Sequence, residues 1–349
     1  MRATTIHGPF DIRVTDVPDA ALHGPTDAVV RVTHACVCGS DLWAYRGVAA
    51  RQEGQRIGHE FVGVVDAVGA DVVTVRPGDT VIAPFVWSDG VCEFCRAGLH
   101  TSCPHGGFWG TPGSDGGQGE AVRVPFADGT LVKVPAGTDP ALTPALLSLS
   151  DVMSTGHHAV VSALAGPGPG PHGWVAVVGD GAVGLCAVLA ARRLGARNII
   201  ALGRHVERTL IASKFGATHI VPERGEDAVA AVRELTGGLG AHHVIEAVGT
   251  EESMRTAIAA TRDGGTVGYV GVPHGGSAGV TISDMFNRNV ALRGGVAPAR
   301  AYIGELLTDV LAGTLDPSAV FDLTVPLSGT PDGYAAMHSR RALKVLIEM

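Results

Sequence analysis

The sequence predicts an α/β protein with two domains, one rich in β-strands and one built on a doubly wound parallel sheet. The chain has 349 residues, which is more than one domain usually contains. Short β-branched stretches separated by Gly, Pro and Asp turns extend to about residue 150, and strands alternate with helices from about Trp174. We expect residues 1–152 and 291–349 to form the first domain, and residues 153–290 the second.

The strands of the first domain are predicted from runs of branched apolar residues that end at turn residues. These runs are, in order, DAVVRVTHA, GHEFVGVVDAVG, DTVIAPF, EAVRVP and TLVKVP. After residue 290 we assign the segment ALRGG, a helix near Tyr302 to Ala312 and the final strand LKVLIEM back to this domain. The N-terminal stretch alternates like a strand and has no apolar core of signal-peptide length, so we expect a cytoplasmic protein.

The second domain is predicted from regular alternation of strands and helices. Its elements are WVAVVG, a helix from Ala182 to Leu194, the strand NIIAL, a helix through ERTLIASKFG, the strand HIV, a helix from Glu226, the strand HHVIEAV, another helix and TVGYVGV. Such βαβ alternation implies a parallel sheet with helices on both faces.

Composition excludes several classes of function. The formal net charge is −8 and no basic run occurs, so nucleic acid is not an expected partner. The most apolar window, Trp174 to Ala191, is interrupted by Asp180 and three glycines and is short for a bilayer span. Three of the six cysteines lie between residues 92 and 103, a crowding typical of metal binding or reduced thiols.

Three glycines follow the first strand of the second domain in the sequence GDGAVG. Gly179 permits a tight turn, Gly181 lets the backbone approach a pyrophosphate, and Gly184 allows close helix packing. The helix that opens at Ala182 and Val183 directs free N–H groups at the cofactor. Because a strand, a helix and further βα units surround the motif, we interpret it as a dinucleotide-binding turn rather than an ordinary glycine turn.

The end of the second strand of this domain indicates which dinucleotide binds. A site that selects NAD carries an acidic residue there, but the sequence reads Gly203, Arg204, His205, with no carboxylate. Arg204, and less directly His205 and Arg208, are suited to a 2′-phosphate. We therefore expect NADP(H) to be preferred over NAD(H). The alternative is that Arg204 is a solvated cation and the protein is indifferent to the phosphate.

Cys38, His59 and Asp151 are candidate metal ligands in the local sequences CVCGSD, IGHEF and LSDVMSTG. A catalytic zinc takes three protein ligands of these types and leaves a fourth position open. Spacing alone does not pair them. Taken singly, they also fit a small buried thiol, a core histidine and a helix N-cap.

The ordered set of CGSD at 38–41, GHE at 58–60, the cysteine cluster at 92–103 and GDGAVG at 179–184 resembles the zinc-dependent medium-chain alcohol dehydrogenases. The resemblance covers essentially the whole chain and implies a GroES-like catalytic domain and a Rossmann coenzyme domain. It implies that Cys38 and His59 bind a catalytic zinc, with Asp151 as third ligand where many members carry cysteine. Glu60 is implied to lie close enough to exchange into the zinc shell.

The same resemblance assigns roles around this zinc. Ser40 is similar to the family's hydroxyl that hydrogen-bonds the substrate oxygen and passes on its proton, although it could instead cap the following helix. Asp41 would hold His59 and fix its tautomer. Trp43 departs from the family pattern, because many members have histidine there to end the proton relay and an indole nitrogen is a donor only. The relay would then end on the ribose and solvent, or use another residue.

A second cysteine motif looks incomplete. Cys92, Cys95 and Cys103 match three places of the family's four-cysteine lobe, and we assign the missing place to Gly98. The candidate substitutes are Glu93, His100 and His105. Since a closed structural zinc needs four ligands, we expect a lobe without metal and one zinc per chain.

Two further strand ends resemble the nicotinamide side of the family's cofactor site. Val248, Val270, Gly271 and Val272 would offer backbone contacts there, and Thr155 would lie against the ring. Plain strand and helix packing is the alternative.

These observations together indicate an oxidoreductase that transfers a hydride between NADP(H) and a small to medium alcohol, aldehyde or ketone. The alternatives are a zinc-free enone or quinone reductase of the same superfamily and a noncatalytic nucleotide-binding protein. We expect a small-molecule substrate, no nucleic-acid or membrane partner, and a homo-oligomer, either dimer or tetramer. Fold alone does not decide among these, so the site must.

Overall fold

The structure is a computed structural model that describes residues 1–273 and 282–349. The chain divides into two compact units. The first unit comprises Met1–Asp151 and Pro298–Met349, and the second comprises Val152–Ala297.

The strands are, in chain order, β1 Arg2–Gly8, β2 Asp11–Asp16, β3 Ala28–Val37, β4 Gln55–Arg56, β5 Phe61–Val68, β6 Thr80–Ala83, β7 Val86–Trp87, β8 Gly107–Phe108, β9 Ala121–Val124, β10 Val132–Lys133, β11 Trp174–Val178, β12 Asn198–Leu202, β13 His219–Val221, β14 Ala241–Glu246, β15 Thr261–Tyr269, β16 Ala291–Gly294, β17 Leu323–Pro326 and β18 Val345–Glu348. The helices are α1 Asp41–Tyr45, α2 Glu93–Arg96, α3 Ala127–Thr130, α4 Thr143–Ser148, α5 Val152–Leu164, α6 Ala182–Arg193, α7 Val206–Phe215, α8 Gly225–Leu235, α9 Glu251–Ala260, α10 Ile282–Arg288, α11 Ala299–Leu311 and α12 Thr330–His338.

The first unit is built around one large sheet with the strand order β10-β6-β5-β3-β18-β17, in which β9 also pairs with β3. Its central strands are rich in branched apolar residues, which suit a pleated and buried surface. Val30, Phe61, Val81, Val122 and Tyr334 are fully buried in its core. This packing fixes the ends of β3 and β5, from which the candidate metal ligands extend.

The second unit contains a parallel sheet with the strand order β13-β12-β11-β14-β15-β16. Its strands read as continuous apolar runs because helices cover both faces, and Val175, Ala176, Ile200 and Val244 are fully buried. The chain reverses its direction of travel across the sheet between β11 and β14. Ligands of such sheets bind at this reversal, beyond the carboxyl ends of the strands.

The predicted fold class is confirmed, since a β-rich unit is joined to a parallel, doubly wound one. The boundary near residue 291 differs from the prediction. Ala291–Gly294, expected in the first domain, forms β16 and pairs in parallel with β15 of the second unit. Leu292 packs there against the apolar cluster of that unit, which explains why the segment stays with it.

Among the described residues, no helix has the length and apolarity needed to cross a bilayer.

Candidate active site

A thiol, an imidazole and a carboxylate meet at one edge of the large sheet of the first unit. Cys38 follows β3, while His59 and Glu60 directly precede β5. Strands β3 and β5 are antiparallel, with Ala35 opposite Phe61. The residues just beyond β3 therefore lie beside those just before β5.

Asp151 joins this group from the turn that follows α4. The backbone N–H of Phe85 donates to the Ser150 carbonyl at 3.0 Å, which ties this turn to the chain beyond β6. Asp151 Oδ2 lies 3.3 Å from His59 Nε2 and accepts a hydrogen bond from Cys38 Sγ at 3.6 Å. The ligand atoms of Cys38, His59, Glu60 and Asp151 all lie within 4.8 Å of one another. The structure thus brings together the four residues that the resemblance singled out.

The protonation of this group shows what a cation would replace. Burial raises the pKa of the Cys38 thiol, and the charge of Glu60 acts in the same direction. Burial lowers the pKa of His59, but Asp41 and Cys38 outweigh it and hold that pKa well above its ordinary value. Both shifts favour the forms of the thiol and the imidazole that carry their protons. Metal ligands must lose them, so a bound cation would take their place.

The donor set fits zinc. Thiolate, imidazole and carboxylate are the ligand types that zinc takes in proteins, and three of them leave an open position for substrate. Glu60 adds a fourth group, and its buried Oε2 has no hydrogen-bond partner in the part of the chain that the structure describes.

Asp41 holds the imidazole in position. Its Oδ1 lies 3.2 Å from His59 Nδ1, and its Oδ2 accepts the backbone N–H of Cys38 at 2.9 Å. The buried Gln118 donates from Nε2 to Asp41 Oδ2 at 3.4 Å and accepts at Oε1 from the Tyr334 hydroxyl at 3.0 Å. Sequence analysis missed Gln118 and Tyr334, which are 216 residues apart and carry no local motif.

Gly58 makes room for this network. Its φ of +91° favours glycine, and a Cβ there would lie 2.4 Å from Gln118 Cγ. A side chain at this position would displace Gln118 and, through it, the support of His59.

Glu60 is anchored by a buried cation. Its Oε1 lies 2.7 Å from Lys344 Nζ, and the two side chains are 0% and 1% exposed. Lys344 directly precedes the last strand, β18, and lies 284 residues further along the chain, so no sequence motif pointed to it. The pair keeps Glu60 beside the cluster, with Oε1 at 3.9 Å from His59 Nε2.

Ser40, Trp43 and Trp109 have different surroundings in the first unit. Ser40 precedes α1, but its side chain makes no capping hydrogen bond. Trp43 is partly exposed, with the Arg46 guanidinium 5.5 Å from its ring centre. Trp109 is buried in the core and donates from Nε1 to the Pro84 carbonyl at 2.8 Å, so it is a core aromatic.

A second group of metal-binding side chains lies around α2 in the first unit. The donor atoms of Asp89, Cys92, Cys95 and Cys103 all lie within 4.8 Å of one another. Three thiols and a carboxylate give the four donors that a closed zinc site requires.

The prediction that the gap of this lobe lies at Gly98 is wrong. Gly98 lies in the turn after α2 with φ of +79°. The four-place spacing instead begins at Asp89, which stands three residues before Cys92 in the place of the first thiol. The fourth donor therefore comes from Asp89 rather than from Glu93, His100 or His105. His105 contacts Asp89 of this group, with Nδ1 at 2.7 Å from Oδ2.

The glycine turn of the second unit has the geometry that a dinucleotide requires. Gly179 follows β11 with φ of +123°, which a residue with a side chain rarely adopts. A Cβ on Gly184 would lie 2.0 Å from the Gly179 carbonyl oxygen, whereas a Cβ on Gly181 would meet no atom of the described residues within 4 Å. Helix α6 begins immediately afterwards at Ala182, with Val183 in its first turn. Free space thus lies at the helix N-terminus, where a pyrophosphate fits.

A carboxylate does lie at the end of β12, contrary to the prediction. Asp180 Oδ2 accepts the backbone N–H groups of Arg204 at 3.1 Å and of His205 at 3.2 Å, and lies 2.7 Å from His205 Nδ1. Arg208 Nη1 lies 3.5 Å from Asp180 Oδ1. Two of the three side chains expected at the phosphate, His205 and Arg208, are therefore already in contact with Asp180. The side chain of Arg204 is exposed and has no carboxylate partner among residues 1–273 and 282–349.

The ends of β14 and β15 meet at Glu246, a fully buried residue that sequence analysis did not single out. Its Oε1 accepts the N–H of Val248 at 2.8 Å, and its carbonyl accepts those of Val270 at 2.9 Å and Gly271 at 3.2 Å. These N–H groups are thereby used, so a cofactor could contact this edge through the carbonyls. Val272 is exposed at the same edge. The remaining predicted residue, Thr155, is buried in α5.

Comparison with known proteins agrees with this geometry. The family model of the alcohol dehydrogenase GroES-like domain matches residues 24–136 of the sequence. The family model of the zinc-binding dehydrogenase domain matches residues 182–311.

Individual relatives cover nearly the whole chain. A zinc-type alcohol dehydrogenase B of Aspergillus flavus is 32% identical over 100% of this chain and 81% of its own length. A probable zinc-binding alcohol dehydrogenase of Mycobacterium tuberculosis is 38% identical over 97% of this chain and 86% of its own. Among solved structures, the alcohol dehydrogenase TADH from Thermus sp. ATN1 superposes with a TM-score of 0.89 at 34% identity, over 100% of this chain and 99% of that one.

Proposed function

The chain belongs to the zinc-binding alcohol dehydrogenase family, and we propose that it transfers a hydride between NADP(H) and a small to medium, largely uncharged alcohol, aldehyde or ketone. The observation that carries the proposal is the convergence of Cys38, His59 and Asp151 on one point. Neither a zinc-free reductase nor a noncatalytic nucleotide-binding protein requires such a set of donors.

In this proposal Cys38, His59 and Asp151 hold a catalytic zinc, and Glu60 is the neighbouring carboxylate that can exchange into its shell. A zinc ion there supplies a Lewis acid for the oxygen of an alcohol or carbonyl substrate. Asp41 keeps the proton on His59 Nδ1, which leaves Nε2 with a lone pair for the metal. The Gln118 amide supports Asp41 in that task.

Ser40 is the proposed proton acceptor on the substrate side. It lies two residues beyond Cys38, and its hydroxyl makes no capping bond. Ser40 Oγ can accept the proton of an alcohol hydroxyl while its own O–H proton is passed on, and the transfer runs backwards when a carbonyl is reduced. Because the Trp43 indole is a donor only, the proton does not continue through that side chain, and we propose that it passes to the cofactor ribose and solvent.

The second unit holds the proposed dinucleotide, whose nicotinamide supplies or takes up the hydride. Gly179, Gly181 and Gly184 shape the turn for the pyrophosphate at the start of α6. The carbonyls of Val248, Val270 and Val272, with Gly271, and the side chain of Thr155 would orient the nicotinamide end.

We propose that NADP(H) is favoured over NAD(H). Gly203 contributes no side chain at the end of β12, and the exposed guanidinium of Arg204 is available for a 2′-phosphate. His205 and Arg208 lie beside it, although both already contact Asp180.

We also propose a second, structural zinc in the lobe, which revises the expectation of one zinc per chain. Asp89, Cys92, Cys95 and Cys103 supply four donors, and closed zinc sites are tetrahedral. A cytoplasmic location and a homo-oligomeric state remain part of the proposal, and sizing of the purified protein tests the second.

The test is metal content per chain, measured on the preparation that is assayed for NADPH and NADH oxidation over a panel of aldehydes and ketones. We expect activity that disappears with a chelator and returns with zinc. Full activity in metal-free protein would favour the zinc-free reductase. Nucleotide binding without turnover of any substrate would favour the noncatalytic alternative.

A further inference from the structure

Asp180 lies between two glycines of the dinucleotide turn, yet its carboxylate is directed at the end of β12. Oδ2 is saturated, because it accepts the N–H groups of Arg204 and His205 and contacts the His205 ring. Among residues 1–273 and 282–349, Oδ1 has one charged neighbour, Arg208 Nη1 at 3.5 Å. One oxygen of the carboxylate is thus able to accept a further hydrogen bond.

The position of this side chain explains the glycine at residue 203. A Cβ built on Gly203 would lie 2.6 Å from Asp180 Cβ and 3.1 Å from its Oδ2. Asp180 therefore fills the space into which a side chain at the end of β12 would extend. In NAD-selective sites that side chain is an acid that binds the ribose 2′-hydroxyl.

We propose that Asp180 is the residue that discriminates at the 2′ position of the adenosine ribose, as an acid supplied by the glycine turn instead of by the end of the second strand. This inference rests on the proposed dinucleotide cofactor. Asp180 Oδ1 accepts the 2′-hydroxyl of NAD(H), whereas a 2′-phosphate brings two negative charges against the same oxygen.

The charge state of Asp180 supports this role. Burial raises the pKa of its carboxyl, but the bonds from the His205 ring and backbone and the charge of Arg208 outweigh burial and lower it. The group is therefore ionised at neutral pH. A carboxylate and a phosphate that lie close together in a partly buried site repel each other far more strongly than in bulk water.

Arg204 opposes Asp180 in the discrimination. Its exposed guanidinium attracts the phosphate, while the carboxylate repels it and occupies His205 and Arg208. The preference for NADP(H) is accordingly smaller than Arg204 alone would produce.

A purely structural role predicts different behaviour. If Asp180 only held the chain at the start of α7, or only arranged His205 and Arg208 around a phosphate, its loss would weaken phosphate binding. Asp180→Asn separates these roles, because it keeps an oxygen acceptor for the N–H groups of Arg204 and His205 and removes the charge. The matched control is Glu207→Gln, which removes one negative charge from an exposed position on α7.

The experiment is calorimetric titration of the full-length protein at about 0.1 M salt with 2′,5′-ADP and with 5′-AMP, followed by NADP+ and NAD+. These nucleotides report the 2′ position without any turnover. We expect Asp180→Asn to raise the affinity ratio of 2′,5′-ADP to 5′-AMP by about tenfold, which corresponds to about 1.4 kcal/mol. Glu207→Gln should leave the ratio within about twofold of wild type, because an exposed charge is screened.

A folded Asp180→Asn protein with an unchanged or lowered ratio overturns the inference. Asp180→Ser, which keeps a hydroxyl acceptor, provides the same comparison if the asparagine variant does not fold. Wild-type protein that binds none of the four nucleotides overturns the proposed function itself, and this inference with it. Binding of all four with no response to Asp180→Asn overturns the inference alone.

Discussion

Replacing Lys344 by methionine should destabilise the first unit by about 3–5 kcal/mol, the usual cost of removing one partner from a buried ion pair. Methionine is close to lysine in length, so little packing volume is lost. The charge of Glu60 is what loses its partner. Lys344 Nζ lies 2.7 Å from Glu60 Oε1, and both side chains are almost completely inaccessible to water. Water cannot take over the role of the ammonium group, so the carboxylate is left buried and uncompensated.

The double variant Glu60→Gln with Lys344→Met is the control for this reasoning. It removes both charges, and we expect it to recover at least about 2 kcal/mol of the loss, since an uncharged pair of similar volume avoids the unpaired charge. The assay is urea unfolding of zinc-loaded protein followed by tryptophan fluorescence, compared at equal slope. A loss below about 1 kcal/mol in Lys344→Met, or a double variant whose loss is the sum of the single losses, would refute the argument.

Three further predictions concern the zinc of the lobe, the hydrogen bonds of Gln118 and the carboxylate of Asp27. Wild-type protein reloaded with zinc should hold about two ions per chain by atomic absorption. The Asp89→Ala variant should hold about one, because three donors do not close a tetrahedral site. Two retained ions in that variant would exclude Asp89 as a ligand. Tyr334→Phe should lower the free energy of unfolding by about 1–3 kcal/mol and also lower kcat, because the buried Gln118 oxygen loses its donor and Asp41 loses its support. An unchanged midpoint of urea unfolding would contradict the role of the Tyr334–Gln118–Asp41 hydrogen bonds. Burial raises the pKa of Asp27, but Arg123 and two backbone N–H groups outweigh it and lower that pKa. The stability advantage of wild type over Asp27→Asn should therefore be complete at pH 7 and shrink below about pH 4. A stability difference that stays constant down to about pH 3 would contradict a lowered pKa.

The parts of the fold that could be predicted are those encoded locally. Strand β12 occupies the predicted segment NIIAL because a parallel strand buried on both faces reads as an apolar run between turns. The edge strand β13, which is partly buried, occupies the predicted segment HIV. The glycine turn could also be predicted, because each of its glycines meets a local requirement of the backbone. The segment ALRGG was assigned to the wrong unit because an edge strand carries no local mark of the sheet that it joins.

The parts of the site that could not be predicted depend on contacts between distant residues. Lys344 and Tyr334 come from the C-terminal segment and act on Glu60 and Gln118 respectively, which lie far earlier in the chain. In the sequence, Asp180 is only an interruption of an apolar window, because no local pattern indicates that its side chain contacts the end of β12. Asp89 differs, since its spacing from Cys92 was visible and a search that allowed a carboxylate in the first place of the lobe would have found it.

The central claim is that Cys38, His59 and Asp151 hold a zinc ion on which turnover depends. The most direct test compares Cys38→Ser with Cys36→Ser, which changes a buried thiol two residues away that lies outside the donor group. For each variant, zinc per chain, NADPH oxidation and nucleotide affinity are measured on one preparation. The account predicts that Cys38→Ser loses one zinc and its turnover but binds nucleotide as wild type does, because the glycine turn belongs to the other unit, and that Cys36→Ser keeps all three properties. Retention of turnover by Cys38→Ser, or by wild-type protein stripped of metal, would contradict it.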